Sequence, residues 1–329
     1  MINYMSAIPK DSLFLVTGGA GFIGSNLCEA LLAKGYRVRC LDNLSTGSKK
    51  NVEIFLTNPN YEFIQGDIRN FEICKASCEN VDYVLHQAAF ESVAQSFEMP
   101  LSYVENNIIG MANMLEAARQ CGVKKFVYAS TSAVYGDSEI LPQSEDAAKR
   151  CLSPYATTKL MCEELASQYN LNFRPDTYGL RYFNVFGRRQ NPYSTYAAII
   201  PIFFKCLLND QAPIIYGDGL QSRDFTYIDN VIDANIKACC ANSEIAGNVF
   251  NVACGSQISL LEAYRLISEI LGKNIPPKFE PARVGDIKHS CADISKSKIL
   301  LNHVSKYSFA DGIKLTADWY INHIKEFLE

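Results

Sequence analysis

Hydrophobic and polar positions alternate along the chain in blocks that read as strand, helix, strand. LFLVT (13–17) is a short apolar run with the length of a buried parallel strand. SNLCEALLAKG (25–35) has the amphipathic spacing of a helix and ends on Gly35, a plausible C-cap. YRVRCLD (36–42) predicts a second strand that ends on Asp42. The same rhythm returns in YEFIQGD (61–67), VDYVLHQAA (81–89), KKFVYAS (124–130) and TYGLRYFNVFG (177–187), with helical patterns over about 101–121 and after Tyr155. Such alternation predicts an α/β fold built on a doubly wound parallel sheet. Beyond about residue 188 the rhythm loosens and proline and glycine become more frequent, which predicts a second, smaller α/β domain. That domain is expected to be interleaved with the first: 1–187 and 226–254 in the larger, 188–225 and 255–329 in the smaller.

The junction of the first strand and helix carries the sharpest chemical signal. GGAGFIG (18–24) places Gly18, Gly21 and Gly24 at a strand-to-helix turn, where backbone N–H groups and a helix N-terminus face a pyrophosphate. A side chain on the middle glycine would obstruct that approach. Asp42 follows Gly18 by 24 residues, where a carboxylate accepts both ribose hydroxyls of NAD and repels the 2′-phosphate of NADP.

A second constellation is SPYATTK (153–159). Tyr155 and Lys159 stand at i and i+4, so on a helix they share a face. A free tyrosine, with a pKa near 10, is a poor base at neutral pH. A neighbouring ammonium and a positive nicotinamide ring favour the phenolate. Between this motif and the glycine turn, ASTSAVYG (129–136) offers Ser130, Thr131 and Ser132 as proton-relaying hydroxyls at a strand end.

Composition narrows the field. The 329 residues are 48% hydrophobic and 20% charged, an ordinary globular balance, and the formal charge of -4 gives no reason to expect nucleic acid. An anionic ligand would need local basic residues, for which Arg181, Arg188, Arg189, Arg223 and Arg283 are candidates. No run approaches the roughly 18 apolar residues of a membrane span, and MINYMSAIPKD lacks the pattern of a signal peptide. The twelve cysteines are scattered, without a Cys-x-x-Cys pair, and read as buried free thiols of a cytoplasmic protein. The four histidines have no metal-ligand spacing, so no metal is expected.

Taken in order, TGGAGFIG, DNLSTG (42–47), HQAA (86–89), STSAVYG, SPYATTK, RYFNVFGRRQNP (181–192), YGDGLQSRDFTYIDNV (216–231) and RVGDIKHSCADISK (283–296) resemble the extended short-chain dehydrogenases that act on nucleotide sugars. The likeness spans about residues 12–325 and is strongest toward the bacterial UDP-N-acetylglucosamine 4-epimerases and their uronic-acid relatives. It implies a Rossmann domain holding NAD, a UDP-hexose substrate, and C4 epimerisation through a 4-keto sugar, most specifically of UDP-GlcNAc and UDP-GalNAc. Tyr155 would be the base that takes the C4 hydroxyl proton, with Lys159 on the nicotinamide ribose and Thr131 as the Ser/Thr relay. The cofactor would lie against Gly18, Gly21, Phe22, Ile23, Gly24, Asp42, Asn43, Ser45, Thr46, Gly47, Asp67, Ile68, Gln87, Ala88, Ala89, Asn107, Tyr155 and Lys159. The substrate would meet Ser92, Thr131, Ser132, Tyr155, Asn184, Arg223, Arg283, Asp286 and Ser290. A homodimer is implied, through the helices near 101–121 and 155–170.

Neighbouring chemistries fit less well. A 4,6-dehydratase of this family carries acidic residues after the Ser/Thr, where this chain has Ser132 and Ala133. A UDP-glucuronate decarboxylase would show Gly-Ala-Arg-Met after the strand that here runs into NVFGRRQ (184–190). A catalytically silent NAD-binding regulator is opposed by the intact Thr131, Tyr155 and Lys159. An N-acetylhexosaminuronic acid 4-epimerase stays open, because the chain departs from the family pattern in the segments expected to line the hexose. Glu91 follows Phe90 where glycine is common, and Ser194 and Thr195 precede Tyr196 where small residues are common. Glu91 turned inward would disfavour a uronic acid by like-charge repulsion; turned outward it would be a solvated surface charge.

Overall fold

A computed structural model of the chain describes residues 8–282 and 287–327. Its centre is a seven-stranded sheet in which every pairing is parallel. The strands are β1 (Leu13–Thr17), β2 (Arg37–Asp42), β3 (Tyr61–Gln65), β4 (Tyr83–His86), β5 (Lys125–Thr131), β6 (Asp176–Tyr182) and the edge strand Val249–Val252. From one edge to the other the order is β3, β2, β1, β4, β5, β6, Val249–Val252. The order reverses between β1 and β4, the kind of point at which α/β sheets bind ligands beyond the carboxyl ends of the strands.

Five of the six expected strands form within three residues of their sequence limits; the one expected over 177–187 stops at Tyr182, and Val185–Phe186 pairs elsewhere. β1 is buried along its whole length, which is why it lacks polar alternation and reads as a continuous apolar run. Helices cover both faces: helix α1 (Phe22–Ala33) and Ile228–Cys240 lie over one apolar cluster that includes Phe14, Val16, Leu27 and Val231. The helices Phe71–Cys78 and Gly110–Gln120 close the other over Leu15, Val84, Met114 and Phe126. Burying each such side chain stabilises the fold by about 1.5–3 kcal/mol.

The helix expected over 101–121 is interrupted. Pro100–Tyr103 is α-helical, Val104–Ile109 widens into a π-helix, and Gly110–Gln120 resumes the α geometry. π-turns of this kind gather at functional sites, and this one carries Asn107. After β6 the chain builds three two-stranded sheets: Val185–Phe186 with Thr226–Tyr227, Ser222–Arg223 with Ile258–Ser259, and Ile214–Tyr216 with Lys278–Glu280. Among the described residues no helix is long and apolar enough to cross a membrane.

Candidate active site

Two strand ends at the order reversal build the first half of the site. Thr17, the last residue of β1, pairs in register with Leu41 of β2 and His86 of β4. Gly18 then turns with φ +67°, and a Cβ there would stand 2.7 Å from the backbone nitrogen of Ala88. A Cβ on Gly24 would stand 2.2 Å from the Gly18 carbonyl oxygen. These two glycines therefore serve the turn itself. Gly21 is different: a Cβ there would meet only the Gly18 oxygen, at 3.2 Å, and otherwise fill the open space above the turn. Helix α1 starts directly after it, with no side-chain cap and no acidic residue in its first turn. The N–H groups at Phe22, Ile23 and Gly24 and the positive end of the helix dipole are thus left to an anion. A dinucleotide pyrophosphate fits this cradle.

Asp42 closes the end of β2. Its oxygens accept the backbone N–H groups of Ala20 (2.9 Å) and Leu44 (2.8 Å). Burial raises its pKa, and the same two bonds oppose the rise. This carboxylate is fixed against the glycine turn with lone pairs remaining for ribose hydroxyls. Asn43 reaches Asp67 (2.9 Å), and its own oxygen holds the N–H of Ser45. Ser45 and Thr46 are exposed, while Gly47 folds back on Ala20. Ile68 is buried, its carbonyl accepting from Asn113 (3.0 Å). Gln87 is more constrained than the sequence implies: its carboxamide accepts from Tyr182 (3.1 Å) and donates to Asn235 (3.2 Å).

The second half stands on the helix Pro154–Asn172. Ser153 caps it by accepting the Ala156 N–H (3.1 Å), and Pro154 occupies its first position, so the start of the helix is fixed. Tyr155 and Lys159 then project from one face. Tyr155 is hydrogen-bonded to Thr131, the last residue of β5, whose hydroxyl oxygen also accepts the Ala133 N–H (3.2 Å). Lys159 is 4% exposed. The structure thus brings together all three residues expected to do chemistry. Ser130 is not a free relay: its hydroxyl donates to Glu163 at 2.5 Å.

The electrostatics depart from expectation. Burial pushes the Tyr155 phenol up, the Thr131 hydrogen bond lowers it, and Glu91 and Tyr103 raise it again. Burial pushes Lys159 down, against the attraction of Cys162, Glu163 and Glu91. Burial, then the Lys159 charge, brings His86 down to about 3, so it is neutral where it meets the Thr17 hydroxyl at 2.8 Å. The protein alone leaves Tyr155 protonated, and a positive charge brought in by a ligand would oppose that.

Asn107 and Ser92, expected at the cofactor and the substrate, brace this centre instead, together with Tyr103 and Glu163, which were missed in the sequence. Asn107 accepts the Phe90 N–H (2.8 Å) and donates to the Phe90 carbonyl (3.0 Å) and the Thr158 hydroxyl (3.0 Å). Its carboxamide is fully engaged, so it ties the 86–92 segment to the catalytic helix instead of offering a free group to the cofactor. Tyr103 donates to the Ser92 carbonyl (2.7 Å), and its ring meets that of Tyr155 edge-on with centroids 6.3 Å apart. Ser92 itself caps the next helix, accepting from the Gln95 N–H at 3.1 Å. Glu163 lies one turn beyond Lys159 and forms a two-pronged ion pair with Arg181 at 2.8 and 2.6 Å. The repeat Tyr155, Lys159, Glu163 at four-residue spacing was the available signal.

The basic candidates separate. Arg181 is buried in that pair, and Arg188 and Arg189 are held by Glu29 and Asp229. Ion pairing to their own chain removes all three from ligand binding. Arg223 is partly exposed beside the Ser222 and Lys288 carbonyls. Asn184, at φ +35°, donates to the Asp224 carbonyl (3.3 Å) and stands next to it in the chain fold. Ser290 donates its N–H to the Ser222 carbonyl (3.1 Å), and its buried hydroxyl has no partner among the described residues. Ser132 starts the short helical turn Ser132–Tyr135. Arg283 and Asp286 lie outside the described residues. Each histidine has a hydrogen-bond partner in its own chain: Thr17, Ser222, Asp233 and the Trp319 carbonyl. Among the described residues no cluster of His, Cys, Asp or Glu has the makings of a metal site.

Residues 14–253 match the family described as NAD dependent epimerase/dehydratase. The chain belongs to that family. NAD is accordingly its cofactor, and the glycine cradle and Asp42 fit it. The chain is 34% identical over 310 residues to a UDP-glucose 4-epimerase of Mycolicibacterium smegmatis, covering 94% of this chain and 98% of that one. It superposes on the UDP-N-acetylglucosamine 4-epimerase of Methanobrevibacter ruminantium, solved with UDP-N-acetylmuramic acid, with a TM-score of 0.88 at 37% identity, covering 96% and 100% of the two chains. It is similar also to the UDP-glucuronic acid 4-epimerase of Bacillus cereus, solved with UDP-glucuronic acid and NAD: TM-score 0.86, 36% identity, coverage 93% and 98%. All three relatives are isomerases that invert C4 of a UDP-sugar; they differ in which sugar they take.

Proposed function

We propose that this protein is an isomerase that epimerises C4 of a UDP-hexose, with UDP-GlcNAc and UDP-GalNAc as its pair. The observation that carries the reading is the hydrogen-bonded Thr131 and Tyr155 beside buried Lys159, next to the nucleotide cradle. NAD, when bound, supplies reversible oxidation at the sugar carbon. Tyr155 removes the proton from the C4 hydroxyl and returns it to that oxygen after the 4-keto sugar has turned over, with Thr131 sharing that proton at its hydroxyl oxygen. Lys159 holds the cofactor ribose and stabilises the phenolate electrostatically. Asn184 and Arg223 hold the diphosphate, leaving the hexose free to turn over.

The N-acetyl preference rests on Ser290. Its backbone is tied to Ser222, the neighbour of Arg223, and in this reading its small side chain stands at the diphosphate end of the hexose. A bulky residue there would occupy the space an acetamido group needs during reorientation. Incubating the purified protein with a panel of UDP-sugars and resolving the C4 epimers chromatographically tests the reading. Conversion of no UDP-hexose would refute it.

We propose further that the larger lobe comprises residues 1–187 and 226–254 and the smaller 188–225 and 255–329. Two of the small sheets, joining 214–216 to 278–280 and 222–223 to 258–259, pair segments of the smaller lobe only. The active unit in this reading is a homodimer: Phe97, Leu101, Ile109, Met161 and Leu171 expose apolar side chains on the helices named for that contact or beside them. Twelve free cysteines suit a reducing cytoplasm.

A further inference from the structure

Strand β5 and the catalytic helix meet at three levels. Phe126 and Tyr128 of β5 pack with Cys162 and Ala166 of the helix, while Val127 belongs to the cluster on the other face of the sheet. Alternation along the strand turns Ser130 toward the helix as well. Its hydroxyl donates to Glu163. Arg181, the register partner of Ser130 on β6, reaches the same carboxylate with two N–H groups. The third level, at the strand end, is the hydrogen bond between Thr131 and Tyr155.

The buried ion pair of the second level fastens Thr131 on both sides. Ser130, just before it, is held by Glu163. Just after it comes the short turn Ser132–Tyr135, and the Tyr135 hydroxyl oxygen accepts from Arg181 at 2.8 Å. That hydroxyl donates in turn to Asn251 (2.7 Å), the register partner of Arg181 on the edge strand. Three adjacent strands thus contribute Ser130, Arg181 and Asn251 to one buried polar row. Tyr155 stands two turns before Glu163 on the same helix, about 12 Å along its axis. Both partners of the Thr131–Tyr155 hydrogen bond therefore hang from one joint. Apolar packing below it is non-directional and lets a helix slide or roll, whereas hydrogen bonds to a fixed guanidinium do not.

We propose that the Arg181–Glu163 pair positions the reaction: through Ser130, Tyr135 and the catalytic helix it sets the Thr131–Tyr155 contact across which the C4 proton moves. This inference rests on the C4-epimerase reading and deepens it. Ser130 and Tyr135 act through Thr131 and are positioning residues, with no contact to the sugar in this reading. Burial pushes the Tyr155 phenol up and the Thr131 hydrogen bond brings it down. Loosening that bond leaves the phenolate less stable, so the pH at which Tyr155 becomes a base rises. The other groups acting on this phenol are Glu91, Tyr103 and Cys162, with Lys159 one turn along the helix, and loss of the Ser130 hydroxyl changes none of them.

The test uses Ser130→Ala and Tyr135→Phe, each of which removes one anchor of Thr131 and keeps the ion pair. On the NAD-loaded protein, kcat and KM for C4 epimerisation of UDP-glucose and UDP-GlcNAc are measured across pH. Each variant is expected to lose about tenfold in kcat at neutral pH with KM within about twofold. The rise of kcat with pH is expected to move to higher pH, so the loss shrinks as pH increases. A merely structural role lowers the active fraction and leaves that limb in place. In a Thr131→Val background, Ser130→Ala is expected to cost less than about twofold more, because its route to the proton is already gone. An unmoved limb with unchanged kcat in both variants would overturn the proposal, as would an equal Ser130→Ala loss with and without the Thr131 hydroxyl. The anchors lie on opposite sides of Thr131, so a variant that fails to fold leaves the other to decide. Full turnover by Tyr155→Phe would instead defeat the C4 reading. Tyrosinate absorbance, taken as the difference between each protein and its Tyr155→Phe counterpart, then decides on the joint: Ser130→Ala should titrate at higher pH, and no movement would refute it.

Discussion

Replacing Glu163 by Gln changes one atom type in the most deeply buried ion pair of the site. The Arg181 and Glu163 side chains are 2% and 6% exposed. Two Arg181 N–H groups reach the two Glu163 oxygens, a third reaches the Tyr135 hydroxyl at 2.8 Å, and Ser130 donates to Glu163 as well. Burial works against the Arg181 charge, but Glu163 and Tyr135 hold the proton firmly on the guanidinium, so it has no route to neutrality. In Glu163→Gln the new amide N–H₂ must face an arginine N–H or the Ser130 hydroxyl, and a full positive charge remains without a counter-ion. Breaking a buried pair from one side costs about 3–5 kcal/mol, a large share of the roughly 5–15 kcal/mol of a whole domain. Urea unfolding at fixed NAD concentration measures it, since ligand occupancy otherwise shifts the midpoint. Replacing both partners together, Glu163→Leu with Arg181→Met, removes both charges and should cost less than Glu163→Gln alone. A loss below about 1 kcal/mol in Glu163→Gln, or a double replacement worse than the single one, would refute the argument.

Tyr155→Phe keeps the ring and removes the ionisable oxygen, so turnover should fall by about 10²-fold or more with NAD still bound; near-normal turnover would exclude Tyr155 as the base. Purified protein, once denatured, should release NAD(H) in excess over NADP(H), because Asp42 opposes a 2′-phosphate. Gly21→Ala should leave the fold intact and weaken NAD, since its methyl enters the open cradle, whereas Gly24→Ala should damage the turn itself; NAD affinity and thermal melts separate the two. Ser290→Tyr should suppress turnover of the N-acetylated pair far more than that of UDP-Glc/UDP-Gal, and equal losses on both would remove Ser290 from sugar selection.

The sheet was legible because its signals are local. A strand buried on both faces must be a short apolar run, and a pyrophosphate turn must place glycine where backbone approaches backbone, as Gly18 and Gly24 do. Tyr155 and Lys159 were legible for the same reason, since four-residue spacing fixes a shared helix face. What stayed hidden depends on partners distant in the chain. Arg181 offers the charge an anionic ligand wants, and nothing near it in sequence reveals that Glu163 takes it first. The π-turn that aims Asn107 at Phe90 looks like ordinary helix, because one inserted residue leaves the apolar pattern almost unchanged.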